Sequence, residues 1–131
     1  MESDLKQVIV LRNDLNMRKG KMVAQGAHAS MAAIISPFEV SDGDMLYPGI
    51  KNDDLIRLWL VGKFTKICVR VDSEEELLNI YKKAGEANIH RSLIQDSGAT
   101  EFNGVPTFTA VAIGPDYNEV VNSITGHLKL L

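Results

Sequence analysis

Three polar side chains recur inside one short run, "NMRKGKMVAQGAHAS" (16–30): the ammonium of Lys21, the amide of Gln25 and the imidazole of His28. In a helix turning about 100° per residue they fall within roughly 60° of one another, and Ala32 continues their line. The junction "RKGK" sets basic side chains beside the unpaired N–H groups of a helix start, a combination that attracts phosphate. A second cluster lies in "IQDSGATEFNG" (94–104), where Asp96 brings a carboxylate, Gly98 a sharp turn and Thr100 a hydroxyl. Asp96 ends an apolar strand, the position at which α/β folds present functional side chains. Thr107 and Thr109 lie on one face of the strand that follows.

Each of these residues also has a purely structural explanation. Lys21 fits a surface charge, Gln25 an ordinary helix former, and His28 a half-buried histidine satisfied by a backbone partner. Asp96 and Ser97 fit an Asx- or ST-type turn. Thr107 and Thr109 fit simple β-propensity. Familiar catalytic signatures are missing: there is no G-x-S-x-G elbow, Walker loop or Rossmann glycine fingerprint. The three histidines lack metal-site spacing, and one cysteine cannot build a zinc ribbon. An enzyme of this sequence is therefore expected to work without a metal or a bound organic cofactor.

The elements that must position these groups are legible from periodicity. "LKQVIVLRN" (5–13) reads as a central strand, since its near-continuous apolar run suits burial on both faces. A loop over 14–20 leads to a helix over 21–35 that stops near Pro37. Val23, Ala27, Met31 and Ile34 mark the expected packing face of that helix, and Gly26 either permits close approach or is tolerated. Residues 36–54 form a long irregular connection. A short helix over 53–62 has Leu55, Leu58 and Trp59 on one side, and "KICVRV" (66–71) is a strand in which Cys68 reads as a packed thiol. Ser73 and Glu76 form a capping box at the head of a helix over 72–88. Strands over 90–96 and 107–114 and a helix over 115–126, opened by Asp116 with Glu119, complete the chain. The order β-α-(α)-β-α-β-β-α predicts a layered α/β fold. The short link between the last two strands predicts an antiparallel pair and hence a mixed sheet.

The chain of 131 residues fits a single domain over 1–131, and its composition, 45% apolar and 24% charged, is that of a globular protein. One cysteine excludes an internal disulfide and points to a reducing, cytoplasmic setting. No apolar run is long enough to span a membrane, and "MESDLKQ" is not a secretory signal. The net charge of -3 gives no global basic excess of the kind nucleic-acid binders show. Locally, however, Lys6, Arg12, Arg18, Lys19 and Lys21 cluster with Asp14 as the only acid among them, while Glu39, Asp42, Asp44, Asp53 and Asp54 follow. This distribution fits either a basic patch on an acidic protein or ordinary solvated surface.

Taken together, "KQVIVLRNDLNMRKGKMVAQGAHAS", "SLIQDSGATEF" and "TAVAIGPDYNEVVNSITGHLKLL" resemble the second, archaeal and eukaryotic, type of peptidyl-tRNA hydrolase. The segments occur in the family's order and cover nearly all of the chain outside 36–54. The combination of G-K-x-x-A-Q-x-A-H-A, D-x-G-x-T and A-I-G-P with G-H-L-K-L-L is specific, although each motif alone is weak. The chain departs from the family pattern at Ala99, where a basic residue is common, at Gly26, where a larger apolar residue is common, and in a longer, acidic 36–54 segment.

The resemblance implies a three-layer α/β/α fold with a mixed four-stranded sheet. It implies hydrolysis of the ester between a peptide and the terminal ribose of tRNA, freeing both for reuse in translation. It places Lys21, Gln25 and His28 across from Asp96 and Thr100 as the catalytic group. Gly98 and Thr109 stand nearby as substrate contacts, and Arg18 and Lys19 are candidates for gripping the tRNA backbone. It requires no cofactor and admits a homodimer. Two other readings compete: a non-catalytic module that binds protein or RNA with the same fold, and a hydrolase acting on a different small ester or amide.

Overall fold

A computed structural model describes residues 4–36, 49–99 and 101–131. The element order is β1 (Leu5–Arg12), α1 (Lys19–Ile34), α2 (Asp54–Val61), β2 (Lys66–Val71), α3 (Glu74–Glu86), β3 (Arg91–Asp96), β4 (Thr107–Tyr117) and α4 (Asn118–Thr125). The strands form one sheet in the order β2-β1-β4-β3. β1 pairs with β2 in parallel and with β4 antiparallel, and β3 pairs with β4 antiparallel. The sheet is therefore mixed, and β1, β2 and β3 all run in one direction.

β1 is covered on both faces, as its continuous apolar run requires. Val8 and Val10 face a core with Leu77, Ile80, Val121 and Ile124 from α3 and α4. Ile9 and Leu11 face the other way, toward Ala29 and Ala33 of α1 and Ala110 and Ala112 of β4. This second interface is built from small residues, so α1 lies close on the sheet. Two polar ties fix its position there. The fully buried Gln7 accepts from the Ser30 hydroxyl and donates to the Ser30 carbonyl at 3.1 Å and the Gly114 carbonyl at 3.3 Å. Ser92 of β3 donates to the Ala29 carbonyl at 2.6 Å. α2 seats on the C-terminal end of α1, where Ile34 meets Ile56 and Trp59.

Several expectations are corrected. α1 packs through Gln25, Gly26, Ala29, Ser30, Ala33 and Ile34, not through Val23 and Met31, which are 73% and 61% exposed. The polar residues of the buried face find partners within the fold, which removes the penalty that made an apolar face the simpler choice. α2 buries Ile56 and Trp59 and leaves Leu58 exposed. β4 runs on through Pro115 to Tyr117, and Asp116 does not cap α4, whose N-cap is Tyr117 without a side-chain bond. Cys68 is exposed. It pairs with Ile9, which faces the α1 side, but β2 is the outer strand and α1 packs over β1, β4 and β3. Ser73 caps α3 as expected, its hydroxyl accepting from the Glu76 N–H at 3.1 Å, while the Glu76 carboxylate meets that hydroxyl at 3.4 Å.

The irregular connection is pinned at its two ends, where the Ser36 N–H donates to the Gly49 carbonyl at 2.7 Å and Ile35 bridges Ile50. Its middle, residues 37–48 with Glu39, Asp42 and Asp44, lies outside the described residues.

Gly26 is buried, but a Cβ built there would meet only Ile9 Cγ2 at 3.5 Å, an ordinary contact. Space does not demand glycine at this point of the helix. Gly26→Ala should therefore raise stability by up to about 1 kcal/mol, the helix-propensity difference. Denaturant unfolding checks this, and a loss of stability would show that α1 sits closer to the sheet than described.

Candidate functional site

α1 begins at the end of the sheet where β1 and β3 finish. Lys21 and Gln25 lie one turn apart on its face toward β3, and Asp96 is the last residue of that strand. The Lys21 ammonium donates to Asp96 Oδ1 at 2.7 Å, with the two side chains 16% and 11% exposed. Gln25 Nε2 approaches the same oxygen at 3.5 Å, the limit of a hydrogen bond. The other carboxylate oxygen accepts from the Gly98 N–H at 2.8 Å. Thr109 on β4 donates its hydroxyl to Gln25 Oε1 and so fixes which way the amide points. The chain of contacts runs Thr109 to Gln25 to Asp96, with Lys21 and Gly98 closing on the carboxylate.

The hydrogen bond from Lys21, then that from the Gly98 N–H, hold the Asp96 carboxyl below its usual range. Burial opposes this, while the charges of Lys21 and His28 add to it. Asp96 is thus an anion at neutral pH whose two oxygens both accept from the protein. It is suited to holding an ammonium in place, and a depressed pKa makes it a weak proton acceptor.

Gly98 takes φ +84, and a Cβ there would lie 2.3 Å from the Val105 carbonyl oxygen. Only glycine lets the loop fold back so tightly that its own N–H reaches Asp96. The Gly98 carbonyl in turn accepts from the Gly104 N–H at 2.9 Å.

The expected residues divide into groups. Lys21, Gln25 and Asp96 converge across 71 to 75 positions of sequence. Gly98 and Thr109 sit behind them: Gly98 is buried and bonded to Asp96, and Thr109 is 0% exposed and bonded to Gln25. His28 is exposed on α1 and, among the described residues, enters no hydrogen bond or ion pair, although its charge is felt at Asp96. Arg18 is 92% exposed in its side chain, 3.9 Å from Glu101, and Lys19 is exposed beside it. Thr100 lies outside the described residues.

The early basic cluster does not form one patch. Lys6 donates to Asn122 at the opposite end of β1. Arg12 is bound by Asp14 at 2.7 Å and donates to the Phe108 carbonyl at 3.1 Å. Arg18, Lys19 and Lys21 remain together at the start of α1, where no side chain caps the helix and the first turn holds no acid. α2 and α3, by contrast, are capped by Asp53 and Ser73. Sequence reasoning did not identify Phe102, whose ring lies 5.8 Å from the Lys21 ammonium. A signal was available, because Phe102 is the only large apolar residue in the polar loop 97–104. Among the described residues no group of three or more His, Cys, Asp or Glu side chains could hold a metal ion.

The buried Thr109–Gln25 bond makes a direct prediction. Thr109→Val should leave the amide oxygen without its donor and cost about 1–3 kcal/mol, whereas Thr109→Ser should retain most of the stability. Chemical denaturation of both variants decides the matter. Equal losses in the two would show that the hydroxyl is not what the site needs.

Comparison with known proteins identifies the family. The family model described as peptidyl-tRNA hydrolase PTH2 matches residues 5–131. A peptidyl-tRNA hydrolase of Methanocaldococcus jannaschii is 44% identical over 97% of this chain and 100% of its own length. That of Methanothermobacter thermautotrophicus is 41% identical over 97% and 100%. That of Saccharolobus solfataricus is 37% identical over 97% and 99%. The match extends through α1, the Asp96 loop and β4, the elements that carry the converging side chains, and on this basis the chain belongs to the peptidyl-tRNA hydrolase PTH2 family.

Proposed function

We propose that this chain hydrolyses the ester joining a peptide, or an N-blocked amino acid, to the 3′-terminal ribose of tRNA, releasing free tRNA and peptide. The observation that carries the reading is the 2.7 Å pairing of Lys21 with Asp96 at the uncapped start of α1. Family membership names the substrate class, and the pair supplies chemistry that suits it.

Ester hydrolysis adds water to the acyl carbon and passes through a tetrahedral oxyanion. The water's hydroxyl stays on the acyl carbon and a proton goes to the departing ribose oxygen. The rate depends on stabilising the oxyanion and on aligning the water. In this reading Lys21 carries the first task, because Asp96 holds its ammonium in place at 2.7 Å. Asp96 orients the ammonium and a water; its lowered pKa argues against its acting as a strong base. Gln25, fixed by Thr109, offers its amide N–H groups to the same centre. His28, exposed on the same helix, contacts substrate at the rim. Thr100 keeps a place in the group on sequence grounds alone.

Arg18 and Lys19 grip backbone phosphates, aided by the positive end of the α1 dipole. Lys21, Gln25 and Asp96 all come from one chain; the reading also admits a homodimer. No helix among the described residues is long and apolar enough to cross a membrane. The reading places the enzyme in the cytoplasm, where tRNA is reused, and gives it no metal.

Purified protein should release the blocked amino acid from an N-acetylated aminoacyl-tRNA with chelator present. Lys21→Met and Asp96→Asn should each lower kcat by about 100-fold or more. The double variant should fall little further, because the two groups act as a unit. Full activity in either single variant would remove that residue from the mechanism, and an inactive wild type would overturn the function.

The pH dependence follows from the direction of the Asp96 shift. Its folded pKa is depressed, so its contribution is fully present above the unfolded value and is lost as pH falls through the folded one. The stability gap between wild type and Asp96→Asn should therefore be flat from neutral pH to about pH 5 and shrink only below about pH 4. Unfolding curves across that range test this; a gap that closes between pH 6 and 7 would contradict it.

A third test concerns the phosphate grip. Replacing Arg18 and Lys19 together by Ala should raise KM and flatten its salt dependence, reducing the log–log slope by about 1 per lost contact. An unchanged slope would exclude both residues.

A further inference from the structure

Among the described residues, Phe102 is an aromatic side chain outside the apolar cores. It belongs to none of the three apolar clusters, is half-buried, and sits in the polar loop beyond Asp96. The loop nevertheless holds it firmly. Its carbonyl accepts from the Val105 N–H at 2.9 Å, across a turn in which Asn103 and Gly104 both take positive φ. The same loop is fastened at its root by the Gly98 N–H on Asp96. One loop thus carries both the N–H that holds the carboxylate and the aromatic residue. At 5.8 Å the Lys21 ammonium is near the outer limit of a cation–π contact, too far for that contact alone to explain a half-buried ring outside the three clusters.

We propose that Phe102 is the platform on which the terminal base of tRNA stacks while the adjoining ester lies at Lys21. The inference rests on the hydrolase reading above and goes beyond it to the nucleotide subsite. With bonds of about 1.5 Å, the centre of the terminal base lies about 6 Å from the ester oxygen on its own ribose. The Phe102 ring lies 5.8 Å from the Lys21 ammonium, a span that one nucleotide can bridge with its base on the ring and its ester at the ammonium. The neighbouring Glu101 faces Arg18, so Phe102 stands on the phosphate-gripping side of the site, where the nucleic acid arrives and not the peptide. Unpaired bases at nucleic-acid ends are commonly held by stacking on aromatic side chains. Such stacking tolerates any sequence elsewhere in the strand. Phe102 would thus recognise the nucleotide that every tRNA end shares.

The test is steady-state kinetics on N-acetylated aminoacyl-tRNA with wild type, Phe102→Leu and Phe102→Trp. Leucine keeps the bulk of the side chain but cannot stack. Phe102→Leu should raise KM about 5- to 100-fold with kcat within about threefold, and Phe102→Trp should keep the wild-type KM. A trinucleotide with the tRNA 3′-end sequence should inhibit wild type more strongly than Phe102→Leu. The same trinucleotide lacking its last base should inhibit both alike. Wild-type turnover with an unchanged KM in Phe102→Leu would overturn the stacking role alone, as would a fall in kcat without a change in KM. An inactive wild type would overturn the hydrolase reading and this subsite with it.

Discussion

The contact on which the site depends is the ion pair between Lys21 and Asp96. It joins the first turn of a helix to the last residue of a strand 75 positions away, with both side chains largely withdrawn from water. A pair of this kind is a poor source of net stability, because desolvating two charges offsets much of their attraction. What it provides is placement. Removing one partner would leave the other charge partly buried without its counter-ion in this pair, so the two groups hold each other in one arrangement. The second carboxylate oxygen and the nearby amide are tied in by Gly98 and, through Gln25, by Thr109.

Everything beneath the pair serves to bring α1 close to the sheet. A helix carrying Leu or Phe at positions 29 and 33 would stand farther out, and Gln25 would lose contact with Thr109. Alanines on both surfaces allow the approach, and Gln7, Ser30 and Ser92 satisfy the polar groups that it buries. These buried contacts also set the position of the helix along its axis. A small sliding of α1 would break the Gln7–Ser30 contacts and move the Lys21 ammonium away from Asp96 together. The polar contacts of this interface thus do what interlocking large side chains do on the opposite face, where α3 and α4 pack against Val8, Val10 and Val111.

The charge distribution is consistent with binding a polyanion on an acidic protein. Net charge acts at long range, and at physiological salt it is screened within about 8 Å. The local field at the head of α1 then matters more, and there Arg18, Lys19 and Lys21 stand at the positive end of the helix dipole without an acid in the first turn. On the proposed reading, none of the contacts at this end selects among tRNA bodies. Phosphates and a stacked base are common to all of them, which suits an enzyme that must accept any tRNA.

Local interactions were legible in the residues themselves. The Ser73–Glu76 cap, the doubly buried run of β1 and the antiparallel β3–β4 pair all depend on neighbours a few positions away or on simple periodicity. The motif-bearing residues Lys21, Gln25 and Asp96 were likewise visible from the order of segments. Other features were decided only by the fold. Helical periodicity marked two faces on α1 but not which one is buried, because Gln25 is tolerated inside only when Thr109, 84 residues away, satisfies it. The exposure of Cys68 follows from the place of β2 at the edge of the sheet, and the scattering of Lys6 and Arg12 from the two ends of one strand. Thr109 and Phe102 exchanged expected importance in the same way, one enclosed behind the site and the other set beside it. Sequence alone determines what a residue can do with its near neighbours; burial and long-range partners belong to the packed chain, since both depend on which distant surfaces meet.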